Sequence, residues 1–165
     1  MVSKITTMFA MCMDRRLVPR ELKLIESIKN EEGQFPFRIV RAGGCLLHQT
    51  DSDREEVLYA MMHGGVTQLY LEDHMGANPL VPGCVAFFEQ NKLKNGDQAR
   101  YPWQVEKLEH INRLQEIGWQ YVLFAKRHGL QLTVSAGLYL HDETGHGKQL
   151  PVKIVAPSRY ETAFR

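Results

Sequence analysis

Apolar positions along the chain switch repeatedly between a run or alternation suited to strands and a three-to-four spacing suited to helices. Residues 5–11 form a short run rich in Thr, Met and Phe, bounded by Asp14-Arg15-Arg16, which predicts a buried strand. In residues 20–30, Leu22, Ile25 and Ile28 recur at helical spacing, Leu24 widens the stripe, and Gly33 follows as a stop. Residues 35–40 read as a second strand closed by Gly43-Gly44. Ser52 and Glu55 then make a capping-box pattern ahead of Val57, Leu58 and Met61, and Gly64-Gly65 ends that helix. A third strand is expected over residues 67–71, terminating in Glu72-Asp73-His74. After an irregular stretch broken by Pro79, Pro82, Gly83 and Gly96, in which residues 85–92 suggest a short helix, residues 104–127 carry the longest period. Leu108, Ile111, Leu114, Ile117, Tyr121 and Phe124 form its stripe and Gly129 its cap. A fourth strand over residues 130–140, a polar turn over 141–147 and an edge strand over 151–155 complete the pattern.

Strands alternating with helices through short connections imply parallel pairing by right-handed crossovers. The expected fold is therefore α/β: one domain over residues 1–165, with a mainly parallel sheet of four strands plus an edge strand, flanked by helices. Its strands end on one shared edge, so residues far apart in sequence meet there.

Composition narrows the partners. Twenty basic and nineteen acidic side chains are dispersed along the chain for a formal charge of +1, which disfavours nucleic acid and anionic membrane surfaces. No stretch is apolar for long enough to span a bilayer, and residues 1–13 lack the small-residue cleavage site of a secretory signal. Three cysteines, Cys12, Cys45 and Cys84, are too few and too widely spaced for a disulfide framework and point to a reducing, cytoplasmic setting.

Candidate chemistry gathers where strands end. Cys12, Asp14 and Arg16 follow the first strand as C-x-D-x-R, and His74 follows the third. In an open α/β sheet the ligand crevice lies outside the carboxyl ends of the strands, where strand order reverses, so both groups are expected at that crevice. A thiolate and a neutral imidazole are good zinc ligands, and Arg16 can hold Asp14 ionised as a hydrogen-bond acceptor. Zinc there would make water nucleophilic near neutral pH. His48, His63, His110, His128, His141 and His146 show no such convergence and read as surface or packing residues. The first turn has no G-x-G-x-x-G, because Arg15-Arg16-Leu17 occupies it, which ranks nucleotide binding last.

These motifs resemble those of the β-carbonic anhydrases. Cys12-Met13-Asp14-Arg15-Arg16 is similar to their C-x-D-x-R segment, Arg41-Ala42-Gly43-Gly44 to their R-N-A-G segment, and His74-Met75-Gly76-Ala77 stands where they carry H-x-x-C. Ala136-Gly137-Leu138-Tyr139 and Asp142-Glu143-Thr144-Gly145 resemble the strand and turn near the end of that fold. The resemblance implies a zinc lyase acting on carbon dioxide or a small analogue. It also implies a homodimer or larger homo-oligomer, with Cys12 and His74 as metal ligands, Asp14 and Arg16 as the orienting pair, and Arg41, Gly43 and Gly44 toward the substrate. Ala77 departs from it, since alanine cannot replace the second cysteine. Cys45 or Cys84 could supply the third ligand, whereas Asp14 swung onto the metal would displace the reactive water and silence the site. With none of them doing so, the chain would be a catalytically silent relative that binds a small anion at Arg16 and Arg41.

Overall fold

The computed structural model describes residues 6–12, 14–32, 35–41, 51–84 and 102–156. The expected short helix over 85–92 lies outside them, as do Gly33, Gly43 and Gly44. Within the described residues the elements run β1 (Thr7–Cys12), a single 3-10 turn (Arg15–Leu17), α1 (Val18–Glu32), β2 (Phe37–Arg41), α2 (Asp51–Gly64) and β3 (Gln68–Gly76). They continue with α3 (Trp103–Arg127), β4 (Thr133–His141) and β5 (Gly147–Val152). The five strands form one sheet in the order β2-β1-β3-β4-β5. Pairings β1–β2, β1–β3 and β3–β4 are parallel and β4–β5 is antiparallel, so the expected α/β sheet with an edge strand is what the chain builds. The chain leaves β1 for β2 on one side and for β3 on the other, which makes the gap between the β1 and β3 carboxyl ends the switch point.

One sheet face carries the main core. Met8 and Ala10 of β1, Leu69 and Leu71 of β3, and Ala136, Leu138 and Leu140 of β4 pack with Val57, Ala60 and Met61 of α2 and with Leu114, Ile117, Tyr121 and Ala125 of α3. Burial of each large apolar side chain here contributes about 1.5–3 kcal/mol relative to exposure. The opposite face lies under α1, where Leu24 and Ile28 stand over Thr7, Phe9, Gln68, Tyr70 and Ser135 and leave a cleft of about 300 Å³. Phe9 and Tyr70 meet edge to face there. Nearer the strand ends this face is polar: Glu72 is bonded to Arg20 and accepts from Gln149 Nε2 at 3.1 Å, while the Arg20 guanidinium covers the Tyr139 ring.

Several elements depart from the pattern in the letters, each for an identifiable reason. Instead of stopping at Leu71, β3 runs to Gly76, because its ladder with β4 continues through Glu72↔Gly137, His74↔Tyr139 and Gly76↔His141. The polar residues that look like a strand end are buried strand residues with partners. Helix α2 begins at Asp51, so Ser52 sits inside the first turn instead of capping it. The edge strand starts earlier than expected because Asp142 closes a tight turn: its carboxylate accepts from Thr144 N at 2.8 Å and His146 N at 3.0 Å, turning the chain straight into β5. Among the described side chains of α1 the buried ones are Glu21 and Ile25, while Leu22 is 57% exposed. In α3 the buried face is Glu106, His110, Leu114, Ile117, Tyr121 and Ala125, and Leu108 points outward.

Glu21 has a measurable consequence. Desolvation first, and then the Glu72 and Cys12 charges, raise its carboxyl to about 7. A carboxyl whose native pKa lies above its unfolded value keeps a proton that the unfolded chain has released, so its favourable contribution is lost as pH rises through about 7. Glu21→Gln should therefore stabilise the protein at pH 8, on the order of 1 kcal/mol once solvent screening is allowed for, and leave it little changed at pH 5. Thermal melts at the two pH values check this. A variant that is less stable than the wild type at pH 8 would contradict the raised carboxyl.

Candidate metal centre

Three side chains converge at the switch point. Cys12 closes β1, His74 lies within β3, and Cys84 follows β3 on an irregular segment; all three are buried, and one ligand atom from each lies within 4.8 Å of the others. His74 thus reaches the site from inside its strand and not from a loop after it, held in register opposite Tyr139. Cys84 stands ten residues past His74, whereas the position three residues past, Ala77, is exposed and spends its backbone N–H on His141 O at 2.8 Å.

Specific contacts fold the segment carrying Cys84 back over the strand ends. A Cβ on Gly76 would sit 2.0 Å from Val81 O, so the chain reverses only because that position has none. Asn78 builds the turn, its side chain accepting from Leu80 N at 2.9 Å. Trp103 Nε1 donates to Gly76 O at 2.8 Å and ties the same corner to the start of α3. Arg16 then reaches across, Nη1 donating to Pro82 O at 3.1 Å and Nη2 to Gly83 O at 3.3 Å.

The other end of Arg16 holds Asp14. Its Nη2 donates to Asp14 Oδ2 at 2.6 Å and its backbone N–H to Oδ1 at 2.9 Å, so the carboxylate caps the 3-10 turn and is oriented toward the centre. Partial burial would raise the Asp14 carboxyl, but the Arg16 hydrogen bonds outweigh it and hold the group at about 2. His74 Nε2 lies 3.8 Å from Asp14 Oδ2. The Cys12 thiol is brought down to about 4, chiefly by a hydrogen bond with Cys84 and then, against the cost of burial, by the His74 ring. The downward shift favours the thiolate, the form in which cysteine binds metals. Burial would depress His74, yet the charges of Cys12, Asp73 and Asp14 around it leave it raised.

The donor set fits a metal. His74 Nε2 is fully buried with no hydrogen-bond partner among the described residues, a costly state for a ring nitrogen unless something else engages it. Two sulfurs and that nitrogen match a zinc site with three protein ligands and a fourth position open. Of the sequence candidates, Cys12, His74 and Cys84 come together, with Asp14 and Arg16 beside them. Arg41 ends β2 in register with Cys12, while Gly43, Gly44 and Cys45 lie outside the described residues.

Two histidines that read as surface or packing residues belong to the surroundings of the centre. His141 is fully buried and contacts His74, its Nε2 3.1 Å from His74 Nδ1. His110, also fully buried, is hydrogen-bonded to Asp73, whose other oxygen accepts from His74 N at 2.8 Å. Burial opposes the charge on His110, but Asp73 and then Glu106 outweigh it and raise the imidazole to about 9. A buried Asp73–His110 ion pair thus fixes the backbone of His74. The sequence held one signal for it: Glu106, His110 and Leu114 lie at steps of four on a single helix face.

No protein-family model matches the chain, and no curated protein matches it in sequence. Solved structures do. The β-carbonic anhydrase CafA of the fungal pathogen Aspergillus fumigatus superposes with a TM-score of 0.52 at 18% identity, covering 97% of this chain and 81% of that one. The carbonic anhydrase of Streptococcus mutans aligns with a TM-score of 0.48 at 21% identity, over 91% of this chain and 82% of that one. On the first of these, the fold is that of a β-carbonic anhydrase.

Proposed function

We propose that this protein is a zinc-dependent lyase of the carbonic-anhydrase kind, interconverting carbon dioxide and bicarbonate, with Cys12, His74 and Cys84 as its metal ligands. One observation carries the reading: two buried sulfurs and a buried, unpartnered imidazole nitrogen lie within 4.8 Å of one another at the switch point of the sheet. The fold shared with the fungal enzyme supports it. Cys84 beside Cys12 and His74 supports this reading over that of a silent relative, which Ala77 had favoured by leaving the ligand set one short.

Bound zinc supplies Lewis acidity that makes water nucleophilic near neutral pH. The chain's own residues do the rest. Asp14, ionised by its pairing with Arg16, accepts a hydrogen bond from the attacking water and aligns its lone pair with the carbon of carbon dioxide. Arg16 also keeps Cys84 in reach by binding the two carbonyls that precede it. Asp73 and His110 hold the His74 backbone against movement. Arg41, in register with Cys12 at the end of β2, is assigned to the substrate side, and a homodimer or larger homo-oligomer in the cytoplasm belongs to the same proposal. No helix among the described residues is long and apolar enough to cross a membrane.

Protein purified without chelator should contain close to one zinc per chain and hydrate carbon dioxide at mildly alkaline pH, and chelation should abolish both. A chain that takes up no zinc, or a zinc-loaded chain with no hydration above buffer, would sink the proposal.

A further inference from the structure

We infer that His141 is a positioning residue for the metal centre: it fixes the ring tautomer of His74 so that Nε2 faces Cys12 and Cys84 as a bare lone pair. The inference rests on the zinc reading above. It follows from a chain of donors and acceptors that begins at a backbone carbonyl. His141 Nδ1 lies 2.8 Å from Asp142 O, and a carbonyl oxygen can only accept, so the His141 proton is on Nδ1. In a neutral ring that leaves His141 Nε2 as an acceptor. This nitrogen is 3.1 Å from His74 Nδ1, which must therefore carry the proton and donate it. In the neutral ring, the form that binds a metal, His74 Nε2 is then unprotonated, and it is the nitrogen that is buried without a hydrogen-bond partner beside the sulfurs.

The alternatives are worse. With its proton on Nε2, His74 would have no lone pair to offer a metal there and would set two lone pairs against each other across 3.1 Å. A doubly protonated His141 would face one N–H with another. The anchor of the relay is also fixed: the Asp142 carboxylate accepts from Thr144 N and Oγ1 and from His146 N, so the turn presenting the carbonyl is clamped. His141 itself is held at the β3 end, its carbonyl accepting from Ala77 N at 2.8 Å. Being uncharged, the relay orients His74 without adding a negative charge to a centre that already holds two sulfurs.

Zinc affinity, measured on the full chain by competition with a chromophoric chelator, tests this. His141→Ala should weaken zinc binding by about 10–100-fold, the usual effect of losing a partner of a ligating histidine. His141→Gln, whose side-chain oxygen can still accept from His74 Nδ1, should recover affinity to within about threefold of wild type. Nitrogen-15 spectra of the zinc-loaded wild type should show His74 protonated on Nδ1, a readout that does not depend on either variant folding. Equal zinc affinity in His141→Ala and wild type, or His74 protonated on Nε2 in the zinc-loaded wild type, would overturn the positioning role alone. A wild type that binds no zinc would overturn the zinc reading and this role with it.

Discussion

Cys84→Ser should cost the protein most of its zinc affinity and with it any carbon dioxide hydration. Complete zinc sites are worth about 10–16 kcal/mol over four ligands, so one ligand accounts for roughly 3–4 kcal/mol, or two to three orders of magnitude in affinity. The fold should survive, because serine is nearly the size of cysteine and the segment stays tied by Arg16, Trp103 and the Gly76 reversal. Adding Ala77→Cys to this variant should not restore the metal, since residue 77 is exposed and its N–H is committed to His141 O. Metal analysis of both variants checks the pair of expectations. If Cys84→Ser keeps wild-type zinc, or Ala77→Cys rescues it, the assignment of Cys84 is wrong.

Asp14 and Arg16 should separate by what they lose. Asp14→Asn keeps size and hydrogen bonding to the Arg16 backbone but loses its charge, and should lower the hydration rate by about 10²–10³-fold with zinc content unchanged. Arg16→Ala removes the charge partner and also the two bonds to Pro82 and Gly83, so it should lose the same activity and bind zinc about tenfold more weakly. Because Asp14 is held at about 2, it stays ionised throughout the usable range, and the activity profile of the wild type should show no limb from it above about pH 4. Stopped-flow hydration rates with parallel metal analysis distinguish the two variants. An Asp14→Asn variant as fast as wild type would remove Asp14 from the mechanism.

Local and periodic features were legible in the letters. Alternating strands and helices imply a parallel sheet, since short crossovers allow little else, and a parallel sheet brings the ends of β1 and β3 to one edge. Cys12, Asp14, Arg16 and His74 follow from that alone, and the Asp14–Arg16 pair spans only two residues, so no distant contact is needed to form it. The third ligand was different in kind. Cys45 and Cys84 stood as equals in the sequence, and what brings Cys84 in is a chain reversal at Gly76 and carbonyls held by an arginine more than sixty residues earlier.

The burial of polar groups was hidden for the same reason. Glu21, Glu72, Asp73, His74, Glu106, His110 and His141 are all buried, yet polarity in a sequence reads as exposure, strand end or turn. A charged or imidazole side chain can leave water only where partners offset its desolvation, and those partners, Asp73 for His110 and His141 for His74, stand 37 and 67 residues away. The amino-acid order by itself determined the sheet, its edge and the first half of the candidate metal site. Tertiary structure alone decided which second sulfur joins that candidate site and which histidines stand behind it, because both depend on contacts between segments that meet only in the folded chain.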